Sequence, residues 1–323
     1  MNKFKKIGLS ALAASLVSVS ANAVTISGGA GITFTGGGDH VSGNGWGMND
    51  SLDFAWGGEL DNGFTVDLSF KLDNSDGNAK QIFDNRSLTI GMGGAGDLQF
   101  WGQAGDSVIS AHDDVMPTAY EESNDGAGGV GRGHTSSNMF YYTNSSVEGV
   151  GIDVSYTPSG GDANAEGSME FGVELTAIEG LTVGFASGED KSGGTGATID
   201  NTIAYITYAF GPVTVGYQAN ESDDDQAATA ITTGVVGSQL LGDLDYTAMA
   251  VSYAVNEDLS VSIASSEVDY ELSSVKNQES TSLNASYTMG SMAWSIQHAT
   301  HDNAHGIATE DYKEYEIGLA FSF

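Results

Sequence analysis

Between Gly105 and Ser136 the chain reads GDSVISAHDDVMPTAYEESNDGAGGVGRGHTS, with six carboxylates (Asp106, Asp113, Asp114, Glu121, Glu122, Asp125), one arginine (Arg132) and two histidines. Carboxylates at this density can do three things. They can hold a hard cation through their oxygens, trade protons as an acid–base pair, or present a fixed negative field to passing ions. Calcium at Asp113, Asp114, Glu121 and Glu122 would relieve their mutual repulsion, whereas a solvated acidic loop would need no ion. Acid–base catalysis is disfavoured, because nothing singles out one pair from so many. His298, His301 and His305 form an H-x-x-H-x-x-x-H string at the end of a strand-like segment. Residues three apart on a strand point to opposite faces, which argues against a shared metal. Gly91 to Gly96 satisfies G-x-G-x-x-G, but a strand follows it where a phosphate cradle needs a helix.

Such a long loop needs a frame, and the frame is legible as alternation. Successive strand side chains point to opposite faces, so apolar residues recur with period two. Phe64, Val66, Leu68, Phe70 and Leu72 share one face, against Thr65, Asp67, Ser69, Lys71 and Asp73. Leu52, Phe54 and Trp56 oppose Asp53 and Glu59, and Met169, Phe171, Val173 and Leu175 oppose Glu170 and Glu174. The chain ends with Tyr315, Ile317, Leu319, Phe321 and Phe323 against Glu314, Glu316, Gly318, Ala320 and Ser322. Each such segment runs for about 9–11 residues, the length that crosses a bilayer as a tilted strand. Short turns such as Asp61-Asn62-Gly63, Gly211-Pro212 and Gly290-Ser291 alternate with longer polar links such as Gly160–Gly167 and Ser222–Asp245. Counting through the pattern predicts sixteen strands, seven short turns and eight long loops. An even count with turns at one rim and loops at the other is what an up-and-down barrel requires.

Composition narrows the alternatives. Three lysines in MNKFKK, an apolar run from Ile7 to about Val19 and Ala21-Asn22-Ala23 read as a signal peptide over residues 1–23. That leaves a barrel over 24–323, with seven Lys and Arg against 43 Asp and Glu, a formal charge of −36. Nothing in so acidic a chain could neutralise phosphates, so nucleic acid is excluded as a partner. There is no cysteine, hence neither disulfide nor thiolate metal site. Glycine is abundant (45) and proline scarce (3), a balance that suits strands and tight turns better than disorder. No apolar run beyond the first residues is long enough for a spanning helix. Small residues fill much of the polar face, and Trp56, Phe64, Tyr156, Tyr217, Tyr253 and Tyr287 gather near strand ends like an interfacial girdle. Apolar faces turned to lipid, and polar faces to an aqueous lumen, fit both features. Alternation then sets Asp53, Asp67, Lys71, Asp153, Glu170, Glu174, Glu314 and Glu316 on the pore wall, and Arg86, opening the fourth strand, is expected there too.

With these features the chain resembles the general diffusion porins of Gram-negative outer membranes, most closely the acidic alphaproteobacterial type. The resemblance covers residues 24–323 as architecture. Its most specific points are the terminal strand Tyr312–Phe323, similar to the outer-membrane assembly signal, and Gly102–Gly133, where the family has its third loop. It implies that residues 105–136 fold into the barrel and narrow it, that three barrels associate as a homotrimer in outer-membrane lipid, and that no cofactor is required. Many general porins set an arginine cluster against the acidic loop. This chain departs from that pattern, offering only Arg86 and Arg132 with five lysines beyond the signal segment.

The expected activity is passive diffusion of small hydrophilic solutes with a preference for cations, without a reaction. Two readings from other classes stay open. One is a barrel enzyme, such as a lipase, using His298 or His301 with a serine at one rim. The other is a soluble exported β-protein that binds calcium.

Overall fold

The computed structural model describes residues 24–37, 44–73, 83–125, 127, 135–160, 166–191, 198–225, 242–271 and 275–323. The expected signal segment, Arg132 and much of the long loops lie outside these residues. Sixteen strands form one closed antiparallel barrel. They are β1 Thr25–Gly36, β2 Trp46–Glu59, β3 Thr65–Asp73, β4 Phe83–Gly91, β5 Asp97–Gln103 and β6 Met139–Asn144. β7 Val150–Thr157, β8 Ser168–Leu175, β9 Leu181–Asp190, β10 Ile199–Phe210 and β11 Val213–Asp224 follow. β12 Leu244–Ala254, β13 Leu259–Tyr270, β14 Gln278–Met289, β15 Met292–Asp302 and β16 Tyr312–Ser322 complete the wall.

Every strand pairs with its neighbours in sequence, and β16 returns to β1 in register from Gly29↔Ser322 to Gly36↔Tyr315. Gly28 and Phe323 exchange both backbone bonds at 2.8 and 2.9 Å, which seals the seam. The short turns are tight. At β10–β11 the chain reverses through Gly211 at φ +58°, a left-handed conformation that glycine adopts without strain.

The alternation has its expected consequence for burial. Met249, Ile263 and Leu283 face outward and are 60, 55 and 61 % exposed, as a lipid-facing surface requires. The inward positions between them are mostly small or polar. The apolar exception is a core inside the barrel, where Val108, Ile109, Val115 and Met116 pack on Ala186, Ile203, Tyr205, Tyr246, Ala264 and Val268. All four loop residues are almost wholly buried, and burying a side chain of this size is worth about 1.5–3 kcal/mol. The loop is therefore fastened to the wall from within.

An outward charge at mid-strand tests this orientation. Leu283→Arg should destabilise the barrel in lipid vesicles by about 2–4 kcal/mol, read as a lower urea midpoint. An unchanged midpoint would mean that β14 does not face hydrocarbon.

Candidate functional site

The loop leaves β5 through Ala104 at φ +49°, whose carbonyl accepts the Asn85 amide at 3.3 Å. A two-residue ladder, Gly105↔Ser136 and Asp106↔Thr135, closes its base. A short helix α1, Val108–His112, follows, with Ser107 Oγ accepting from Ser110 N at its start. Its Val108, Ile109 and His112 are buried against the barrel interior.

From there the chain runs around the inner wall, and each step is tied to a named inward side chain. Val108 N donates to Ser155 Oγ at 3.1 Å, and Ile109 N donates to Glu170 Oε2 at 2.7 Å. His112 Nε2 lies 3.2 Å from Asp153 Oδ2 on β7. Asp113 Oδ1 accepts from Gln218 Nε2 at 2.8 Å and Asn220 Nδ2 at 3.1 Å, both on β11. Ala119 N donates to Ser262 Oγ at 2.8 Å, and the carbonyls of Glu121 and Glu122 accept from Asn284 at 3.0 Å and Gln297 at 2.9 Å. The Tyr120 hydroxyl donates to Glu316 on β16, which also accepts from Thr35 Oγ1 at 3.0 Å. Amides are the natural partners for this work, because each offers two donors to a loop rich in acceptors.

Three inward glycines complete the fit. A Cβ at Gly172 would overlap His112, one at Gly216 would overlap Pro117, and one at Gly318 would meet Ser295 Oγ of the wall at 2.7 Å and the Tyr120 hydroxyl of the loop at 3.1 Å. The loop thus runs along the wall from β7 round to β16, where inward acids such as Glu174 and Glu314 stay partly exposed. The open lumen is left to the inner faces of β1–β5, which carry Ser27, Thr33, Asn49, Ser51, Asp53, Asp67, Ser69 and Lys71.

The acids separate into two groups. Asp106 is exposed, while Asp113, Asp114, Glu121 and Asp125 are partly exposed. Glu122 is 8 % exposed and Glu170 only 1 %, so both belong to the seam between loop and wall and do not line open water. That corrects the expectation for these two: Glu170 is a wall residue covered by the loop, and Glu122 is a loop residue folded back onto the loop's own backbone. Glu122 Oε1 accepts from Met116 N at 3.1 Å. Burial, and then the neighbouring Asp114 and Asp113 charges, push its carboxyl well above the usual range. Burial raises Asp113 too, against the opposing pull of Gln218 and Asn220. Burial and Glu316 push the Tyr120 phenol up.

Asp53, Asp67, Lys71, Asp153, Glu174, Glu314 and Glu316 occupy inward positions. Lys71 Nζ lies 3.3 Å from Asp73 Oδ2. Arg86 does not join them. It pairs across the sheet with Phe70, whose ring stacks on Phe54, and so lies on the outer face. Among the described residues no three His, Asp or Glu converge as a metal ion would require. The expected calcium ligands Asp113 and Glu122 direct oxygens to amide and backbone donors instead. His301 faces inward and His298 outward. His301 Nδ1 lies 2.9 Å from Ser280 Oγ and its Nε2 lies 3.4 Å from Glu314 Oε1. Serine and imidazole are 2 and 0 % exposed, so this chain of contacts ties three strands and presents no nucleophile to solvent.

The sequence model of the Gram-negative porin family matches residues 8–237 and 167–323, which between them take in nearly the whole chain. The chain belongs to the Gram-negative porin family. Its place is the outer membrane. Solved structures share the fold at low identity. The trimer form of OmpT from Vibrio cholerae superposes with a TM-score of 0.70 at 12 % identity, over 94 % of this chain and 100 % of that one. An anion-selective porin from Comamonas acidovorans gives 0.64 at 13 %, over 94 and 100 %. A mutant of the Rh. blastica porin gives 0.66 at 14 %, over 93 and 100 %. No curated protein matches the chain by sequence.

The seam makes docking of the porin loop pH-dependent. Raised carboxyl values in the docked state stabilise docking fully below the ordinary carboxylate range, near about 4. The contribution is lost as pH rises through the docked-state values. Alkaline conditions should therefore speed amide hydrogen exchange over 105–125 beyond the intrinsic pH effect, and Glu122→Gln should flatten that dependence. Identical profiles for the two proteins would remove Glu122 as the cause.

Proposed function

We propose that the protein is a water-filled diffusion channel for small hydrophilic solutes, cation-selective, which works as a homotrimer and catalyses no reaction. The observation that carries the selectivity is the imbalance of charge on the inner face. Among the described residues, Lys71 is the one lysine or arginine on an inward strand position, and Asp73 lies beside it. Asp53, Asp67, Asp153, Glu174, Glu314 and Glu316 are set inward, and Asp106, Asp114, Glu121 and Asp125 are at least partly exposed on the loop.

The loop acts as the constriction. It reduces the aqueous cross-section to the space beside β1–β5, so size selection follows from the packing that holds it there. Negative groups in a narrow aqueous path with low-dielectric walls raise the local cation concentration and repel anions. The Comamonas acidovorans relative, described as anion-selective, has the same fold. Selectivity is thus a property of the charges mounted on the fold. The trimer form described for OmpT supports the same association here.

A tenfold salt gradient across a planar bilayer should give a reversal potential of cation-selective sign. Asp106→Asn with Asp114→Asn should bring it towards zero, as should acidification towards the carboxylate range of about 4. An anion-selective wild type would sink this reading.

A further inference from the structure

The short-turn half of the barrel holds a set of side chains around the first turn of the loop that differs from the rest of the lumen. Tyr141 on β6, Asp153 on β7, Glu174 on β8 and Tyr205 on β10 stand on inward positions near the short-turn ends of their strands. Helix α1 lies over the next inward positions towards the other rim, where Ser155 and Glu170 accept from Val108 N and Ile109 N. The four side chains therefore flank the loop on the side of the short-turn mouth.

Glycines make room between them. Asp153 is paired with Gly172, and Glu174 with Gly151 and Gly184. A Cβ at Gly184 would overlap the Tyr205 ring, so that ring lies across the glycine, and its hydroxyl donates to Glu174 Oε2 at 3.0 Å. Tyr205 interacts electrostatically with Asp153 and Tyr141, and Tyr141 with Asp153, which draws the four into one cluster. Asp153, Glu174 and Tyr141 each remain partly exposed.

The cluster does not balance its own charge. His112, 3 % exposed, places Nε2 3.2 Å from Asp153 Oδ2, and its Nδ1 has no hydrogen-bond partner among the described residues. A second ring proton would be buried without an acceptor, so the imidazole fits its neutral form, with Nε2 donating. The Tyr205 phenol is likewise a neutral donor. Together these side chains bring two carboxylates and no cation, and Lys71 stands away on β3, opposite Asp53. A hard metal ion finds too few oxygens here, since calcium takes about six to eight and no three acids converge among the described residues. A phenol ring beside two carboxylates suits a cation that also has carbon to bury.

We infer that Tyr141, Asp153, Glu174 and Tyr205 form a subsite for small organic ammonium ions on the short-turn side of the loop. The ammonium donates to the carboxylates, and its carbon substituent lies on the Tyr141 ring. Tyr205 positions Glu174 from the wall, and His112 positions Asp153 from the loop. Cations that pass the loop are thereby sorted by kind as well as by sign. This deepens the cation-selective channel proposed above and rests on it.

The test uses propylammonium as the probe, added to potassium chloride on either side of a planar bilayer that holds the full barrel. It should reduce the potassium current at concentrations where propanol, its neutral counterpart, does not. Tyr141→Leu should raise the half-blocking concentration about two- to fivefold, the worth of one exposed cation–ring contact, whereas Tyr141→Phe should keep it. Glu174→Gln should raise it by more than Asp53→Asn, which removes an acid elsewhere in the lumen. Single-channel potassium conductance without the probe shows that each variant still forms a pore. Block no stronger than that of propanol would overturn the subsite, and so would equal effects of Glu174→Gln and Asp53→Asn. Block untouched by Tyr141→Leu would overturn the choice of an organic ligand. An anion-selective wild type in a potassium chloride gradient would instead remove the channel reading beneath the proposal.

Discussion

In hydrocarbon a backbone amide has no water to turn to, so a sheet that crosses a bilayer must pair every strand on both sides. Closure between β1 and β16, sealed by Gly28 and Phe323, is the constraint on which the rest of this molecule depends. Closure leaves an inside and an outside. With period-two side chains, every residue of the wall is then committed to lipid or lumen. The narrowing loop is possible because the inner face of β8–β14 was never required to be wholly polar. It carries alanines, glycines and tyrosines that receive the loop's valines, isoleucine and methionine.

Much of this was legible from residue order alone. Sixteen alternating segments, short turns at one rim and long links at the other follow from local chemistry, and the terminal strand Tyr312–Phe323 reads unambiguously. What alternation reports is only which side of the sheet a residue faces. It says nothing of what lies over that residue, and so Glu170 looked like a pore-lining charge. It is covered by a loop whose path depends on contacts with residues far away in sequence, such as Gln218, Asn284 and Gln297, and the same contacts turn Glu122 of the loop away from open water.

Arg86 is a different lesson. The order Arg86-Ser87-Leu88-Thr89-Ile90 does place the arginine on the apolar side, with Leu88 and Ile90. Its charge made a lumen position look natural, but register against Phe70 decides the matter. The buried amides Gln218, Asn284 and Gln297 were missed for the opposite reason. They are inconspicuous by type, and only their inward setting on strands opposite an acceptor-rich loop could have drawn notice.

The glycines at 172, 216 and 318 have a consequence for how such a channel can diverge. They are absences shaped to a particular loop, so the loop and three separate strands are one mated part. A loop of different sequence set into this wall would find the wrong hollows, and a bulkier wall residue would evict the present loop. Inherited changes in permitted solute size are therefore expected to arrive as correlated replacements across four distant stretches of the chain. The exposed Asp106 is not among the residues that fill these hollows, and it remains open to change by itself.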